Sequence, residues 1–330
     1  MRQDLTTIDL KQQVPENLRG YRLDQAAATL FDDYSRARLQ KWIRDGRLYI
    51  DGRPGKVREK LAGGEWLSLH AEVLPVADWQ AQPLDLDVIY EDSAILVVNK
   101  RAGLVVHPGA GNPDLTLLNG LLHHCSQLET VPRAGIVHRL DKDTTGLLVV
   151  AKTLAAHNSL VKQLKARTVS REYDAIVQGQ LYRSGSVDAA IGRHPVNRVR
   201  MAVTEKGKPA ISHYRMLASY SDYSHLRVKL ETGRTHQIRV HMSHIGHPLL
   251  GDPLYGGRLQ IPAGIGDGLA TGLRGFKRQA LHAAHLGLIH PESGESMSWH
   301  AALPEDMQSI LSLLESDGPG VVRRKGESQN

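Results

Sequence analysis

Between Gly135 and Lys152 two short apolar runs, Ile136-Val137 and Leu147-Leu148-Val149-Val150-Ala151, are separated by a polar group and a turn, His138-Arg139-Leu140-Asp141-Lys142-Asp143-Thr144-Thr145. Short runs of Val, Ile and Leu bounded by glycine read as buried strands, so Asp141 falls on a loop held rigidly between core elements. Chemistry is usually placed at such a position. Strands and helices elsewhere are mixed without a regular βαβ repeat, which predicts an α+β fold.

The amino-terminal quarter has a different character. Nine basic residues (Arg36, Arg38, Lys41, Arg44, Arg47, Arg53, Lys56, Arg58, Lys60) stand against three acids between positions 36 and 60. That excess of six equals the net charge of the whole 330-residue chain, so the rest is close to neutral. With a pI near 9.3 the balance favours a polyanionic partner, and its location marks this quarter as the docking surface. Ser35 as N-cap and Gly46 as stop predict a helix over Arg36–Asp45, with Leu39, Trp42 and Ile43 on one face. Arg38, Lys41 and Arg44 then form a cationic ridge on the other face. A helix around Arg22 to Phe31 precedes it, and strands at Leu48–Ile50 and Trp66–Leu69 follow, the first ending in an Asp51-Gly52 turn.

Two prolines and fading periodicity mark residues 71–84 as a linker. Beyond it, Val88–Tyr90, Ile95–Val98 and Leu104–Val106 read as strands, and Leu154–Arg167 as a helix capped by Thr153 with Leu154, Val161 and Leu164 inward. Arg171–Val177 alternates as a strand with Tyr173, Ala175 and Val177 on one face. His236–Ile245 reads as a helix with Thr235 as N-cap and Gly246 as stop. The basic tail, residues 316–330, lacks periodic apolar positions and is expected to be disordered. The expected units are 1–70 (core about 19–70), the linker 71–84, a domain over 85–315, and the tail.

No apolar run reaches the roughly 20 residues that span a bilayer, and the first fifteen are too polar for a secretory signal, so a cytoplasmic protein is expected. A single cysteine, Cys125, excludes an internal disulfide and a multi-cysteine zinc site. Seventeen histidines supply no His-Glu-x-x-His, and no metal is expected. His107-Pro108-Gly109-Ala110-Gly111-Asn112 is glycine-rich but lacks the Lys-Ser/Thr ending of a P-loop, which argues against a nucleotide cofactor.

His-Arg-Leu-Asp-Lys-Asp-Thr-Thr-Gly, from His138 to Gly146, resembles the catalytic loop of the ribosomal large-subunit pseudouridine synthases, the RluA/RluD family. The resemblance runs from about Arg19 to Pro304. It implies the pseudouridine synthase fold, an α+β catalytic domain with a mixed, mainly antiparallel sheet, together with isomerisation of uridine to pseudouridine in large-subunit ribosomal RNA and no cofactor. Asp141 would be the essential catalytic residue. Arg239, in Gly-Arg-Thr-His-Gln-Ile-Arg-Val-His, would pair with it, and Tyr173, in Arg-Glu-Tyr, would stack on the target base. Arg139 would fill the space left by the flipped nucleotide, Leu281 would line the uracil pocket, and His138 and Thr144 would shape the loop, with His138 near the substrate. Residues 19–70 resemble the alpha-L RNA-binding motif, which makes Arg36, Arg38, Lys41, Arg44 and Arg47 its RNA contacts. Ribosomal RNA or a pre-ribosomal particle is the implied partner, met by a monomer. A silent RNA-binding assembly factor is the rival reading, for which the basic ridge alone would suffice.

Overall fold

The computed structural model describes residues 6–31, 34, 36–73, 79–109, 111–197, 199–259, 261–317 and 322–323. Ser35, residues 74–78 of the expected linker and most of the tail lie outside that set.

The amino-terminal unit consists of β1 (Thr6–Gln13), α1 (Leu23–Leu30), α2 (Arg36–Arg44), β2 (Leu48–Ile50), β3 (Arg53–Pro54) and β4 (Trp66–Val73), with sheet order β1-β4-β2-β3. The strand β1 was not expected, because its alternation of Thr, Asp, Lys and Gln carries little apolar signal. It pairs along its whole length with β4, which extends past Leu69 to Val73 and shortens the linker. Leu39, Trp42 and Ile43 are buried as the helical period requires, against Leu23, Leu48 and Leu67. Asp51 and Gly52 take positive φ at 48° and 83°, the conformation that closes a two-residue hairpin.

Two of the five expected RNA contacts have work inside this unit. Arg36 Nη2 lies 2.6 Å from Asp24, whose side chain is fully buried. Burial pushes the Asp24 carboxyl up, but hydrogen bonds from Gln40 and Arg36 hold it below its ordinary value, so α1 and α2 are tied by charge. Arg38 lies 5.1 Å over the Trp42 ring. Lys41, Arg44 and Arg47 are exposed.

The larger unit runs β5 (Val88–Glu91), β6 (Ile95–Lys100), α3 (Leu117–His124), β7 (Thr145–Ala151), α4 (Leu154–Ala166), β8 (Ser170–Gln178), β9 (Gly185–Asp188), β10 (Ile191–Arg193) and β11 (Met201–Val203). It continues with β12 (Ile211–Ser219), β13 (Tyr223–Leu230), α5 (Gln237–His244), α6 (Asp267–Gly275), β14 (Leu281–Ile289), β15 (Ser296–His300), α7 (Glu305–Asp317) and β16 (Val322–Arg323). Among the described residues one ten-stranded sheet follows the path β16-β12-β13-β8-β14-β7-β6-β5, with β15 on β14 and β9 on β12. The β7–β14 pair is parallel and the other pairs are antiparallel, the mixed sheet expected of an α+β domain.

Every residue of β7 is buried, because the strand is central and covered on both faces. Leu148 and Val150 enter one core with Tyr173, Ala175 and Val177, while Leu147 and Val149 enter another with Leu160 of α4. Burial on α4 centres on Ala156 and Leu160 rather than on Leu154, Val161 and Leu164, which are half-buried. Thr153 caps α4 as expected, its hydroxyl accepting from Ala156 N at 3.1 Å. Leu104 and Val106 are buried but form no strand, since the chain turns through Gly103 and hands its side chains to the core from an irregular segment. At the carboxyl end Val322–Arg323 pairs with β12, so a wholly unstructured tail is wrong for those two residues.

Candidate active site

Sheet register brings the chemistry together. Ala283 on β14 pairs with Tyr173 on β8 and with Gly146 on β7, so three strands align these residues in one row. The loop that ends at Gly146 therefore stands level with Tyr173. Gly146 has φ of 110°, and a Cβ there would lie 2.3 Å from Ala283 O, so only glycine lets the loop enter the sheet this closely.

Four side chains then fix the loop. Lys100, at the end of β6 and 2% exposed, donates from Nζ to Leu104 O at 2.9 Å, Lys142 O at 2.8 Å and Arg101 O at 3.0 Å. Burial pulls its pKa down from 10.5 to about 7, against the pull of Asp143 and Asp141. Arg278 donates to Asp143 O at 3.1 Å while gripping both oxygens of Asp306 on α7 at 2.7 Å. Gln279 donates to the Thr144 hydroxyl at 3.0 Å. His138 Nε2 accepts from Val149 N at 3.2 Å. Burial, helped by Arg171, lowers the His138 pKa to about 3, which keeps that nitrogen free to accept.

Asp141 is thereby presented at 17% side-chain exposure into a pocket shared with Tyr173, Leu281, Leu230, His236 and Arg239. Arg239, 4% exposed on α5, donates from Nη1 to Asp141 Oδ2 at 3.0 Å. Its other edge holds Asp252, Nε to Oδ2 at 2.7 Å and Nη2 to Oδ1 at 2.9 Å. Burial alone would lower the guanidinium pKa, but Asp252 and then Asp141 raise it well above its ordinary value. The cation is permanent, and its free edge is aimed at one carboxylate oxygen.

The approach to α5 is set by Gln237, not by the expected Thr235 cap. Gln237 Oε1 accepts from Thr232 Oγ1 and Arg234 N at 2.7 and 3.0 Å, and its Nε2 donates to Ile211 O and Ser212 Oγ at 2.9 Å. His236 occupies the cap in a left-handed conformation with φ of 57°. That turn puts its ring 3.9 Å from Asp141 Oδ1 and 2.8 Å from the Tyr255 hydroxyl. Burial holds His236 below its ordinary pKa despite the neighbouring Asp141.

Tyr173 is 5% exposed and its hydroxyl has no hydrogen-bond partner among the described residues. Burial and the Asp141 charge raise its pKa, Arg171 opposing, so the group is a neutral phenol at neutral pH. Arg139 is exposed with no carboxylate within 4.0 Å among the described residues, and it lines a neighbouring cleft together with His138. Sequence reasoning named Asp141, Tyr173, Arg239 and Leu281, and they share one pocket. It missed Asp252 and Lys100. The Gly-Asp-Pro string around Asp252 signals only a turn, and Lys100 carries a weak signal, a charge closing an otherwise apolar strand.

Residues 94–244 match the family described as RNA pseudouridylate synthase. The ribosomal large subunit pseudouridine synthase D of Pseudomonas aeruginosa is 57% identical over 310 residues, covering 94% of this chain and 97% of that protein. The chain belongs to the RNA pseudouridylate synthase family. Its likeness to the synthase of the same name from Escherichia coli strain K12 is 51% over 311 residues, or 94% of this chain and 95% of that one. Among solved structures, human RNA pseudouridylate synthase domain containing 4 aligns with a TM-score of 0.55 at 25% identity, over 69% of this chain and 92% of its own. Human RNA pseudouridylate synthase domain containing 1 aligns at 0.52 and 26%, over 72% and 97%. The enzyme is thus an RNA pseudouridine synthase, an isomerase whose fold is the one expected.

Proposed function

We propose that this pseudouridine synthase isomerises specific uridines of large-subunit ribosomal RNA, acting as a cytoplasmic monomer with Asp141 as its catalytic group. The observation that carries the reading is the Asp141–Arg239 contact inside a pocket that also holds Tyr173. One chain supplies all three residues. Among the described residues no helix is long and apolar enough to cross a membrane.

In the reaction the bond from ribose C1′ to uracil N1 breaks, the base turns, and C1′ bonds to C5. C5 loses its proton and N1 gains one, so the product has the mass of the substrate. The base must leave its stack to reach the pocket, which costs a few kcal/mol that contacts to the RNA offset. Asp141 attacks C1′, adds to C6, or removes a ribose proton, and each route needs a carboxylate held anionic and aimed. The permanent Arg239 cation supplies both conditions. Tyr173 offers a ring at fixed height for the base and an unengaged hydroxyl. Arg139 is free to enter the stack that the base vacates. Lys41, Arg44 and Arg47 are free to meet phosphates from the amino-terminal unit.

Incubating the protein with large-subunit ribosomal RNA, followed by carbodiimide-dependent primer extension, should give new stops at specific uridines. RNA bound without any new stop would favour the silent assembly factor.

A further inference from the structure

Next to the catalytic pocket lies a cleft of about 820 Å³ whose walls carry Arg139, Lys165, Arg171 and Arg234. Its carboxylate, Glu231, is already engaged by Arg167 at 3.0 Å and His213 at 2.6 Å. Arg171 differs from the other cations of the cleft. It is 7% exposed, its Nε is enclosed without an acceptor, and no carboxylate lies within 4.0 Å of its guanidinium among the described residues. Burying a charge without a partner costs stability, so a fold that keeps such a group needs a return elsewhere.

The surroundings keep room for that guanidinium. A Cβ on Gly233 would stand 2.7 Å from Arg171 Nη1, so a side chain at that position would push the arginine head out of place. Arg171 also shares a face of β8 with Tyr173, two residues on, which separates them by about 6.6 Å along the strand. A nucleotide places its base and its backbone phosphate one ribose apart, a span of the same order.

We propose that Arg171 anchors a phosphodiester subsite, in which a backbone phosphate adjoining the uridine held at Tyr173 supplies the missing counter-charge. The proposal rests on the reading of the pocket as a uridine isomerase. One rigid strand then fixes both the base and the backbone of the substrate. Arg139 and Arg234 carry charge into the same cleft from the catalytic loop and from the approach to α5, so the RNA strand leaves the pocket along a cationic wall.

The test is a coupling measurement on a ribosomal RNA stem-loop that the native protein modifies. A neutral methylphosphonate is placed singly at each phosphate flanking the target uridine, and binding is measured for the native protein, Arg171→Met and Arg171→Lys. At one of these positions the native protein should lose about 10- to 100-fold in affinity, the effect of removing a charged hydrogen-bond partner. Arg171→Met should lose as much on unmodified RNA and show no further loss on the methylphosphonate. Arg171→Lys should keep a reduced dependence, since it retains the charge without the planar fork. Free Arg171→Met should melt no lower than the native protein, because an unpaired buried charge is gone. Additive losses, or a lowered melting temperature showing that the arginine is needed inside the fold, would overturn the subsite. Pseudouridine formation on the same RNA reports separately on the isomerase reading, so an active enzyme without the Arg171–phosphate coupling refutes the subsite alone.

Discussion

Arg239 reaches Asp141 at 3.0 Å while Asp252 grips the far edge of the same guanidinium at 2.7 and 2.9 Å. Asp252 has backbone partners as well, its Oδ1 also accepting from Leu254 N at 2.9 Å and Tyr255 N at 3.0 Å. On the proposed reading, the fully buried Asp252 carboxylate acts as a positioning group for the cation that touches Asp141. Asp252→Asn keeps the shape and removes the charge. It should lower kcat by about 10²-fold, the scale of a misplacement near 1 Å, while RNA affinity is unchanged. A parallel loss of affinity in a filter-binding assay would show that Asp252 serves RNA docking instead.

Lys100 predicts a pH dependence of stability. Its folded-state pKa of about 7 lies below the ordinary 10.5, so between those values the unfolded chain binds more protons than the folded one. Stability should therefore rise with pH across that window, by about 1.4 kcal/mol for each pH unit of displacement at most. Below pH 7 both states are protonated and the cost of the buried charge is constant. Chemical denaturation at pH 7 and pH 9 should show this rise in the native protein and a flatter response in Lys100→Met. Equal responses would mean that Lys100 titrates normally.

Asp141 was legible as part of a polar loop between apolar runs, whereas Tyr173 on β8 and Arg239 on α5 were reached only through the resemblance of their motifs, since spacing alone reads them as a core tyrosine and a surface helix arginine. Asp252 and Lys100 were not legible, because their roles arise from packing. Asp252 serves a residue thirteen positions away, and Lys100 serves a carbonyl forty-two positions away. The helix α2 was readable from its period, yet which of its cations are free was not. Arg36 is tied to Asp24, which lies buried on α1, a fact of tertiary contact. The left-handed cap at His236 was hidden for a similar reason, since Thr235 satisfies the local rule and the Gln237 contacts override it.

Tyr173 is a flat ring with an unengaged hydroxyl, and two variants separate those functions. Tyr173→Phe should bind RNA as the native protein does and lose about 10²- to 10⁴-fold in kcat if the hydroxyl moves a proton. Tyr173→Ala should lose affinity as well, by the roughly 1–3 kcal/mol of a base–aromatic stack. Full turnover by Tyr173→Phe in a tritium-release assay would restrict the residue to stacking.

In the amino-terminal unit, charge and structure divide between neighbours. Neutralising Lys41, Arg44 and Arg47 together should flatten the dependence of log affinity on log salt by about two to three if each meets a phosphate. Arg36→Ala should leave that slope alone and lower the melting temperature, because it leaves the buried Asp24 carboxylate with only Arg22 and Gln40 as partners. An unchanged slope in the triple variant would remove this surface from the RNA interface.

Turnover by Asp141→Asn tests the account most directly. Asparagine keeps the size of the side chain and one acceptor for Arg239 while removing the anion. Incubated with large-subunit ribosomal RNA and read by carbodiimide-dependent primer extension, this variant should bind the RNA and produce no pseudouridine stop at sites the native protein modifies. Stops of native intensity from Asp141→Asn would contradict the assignment of the reaction to this carboxylate.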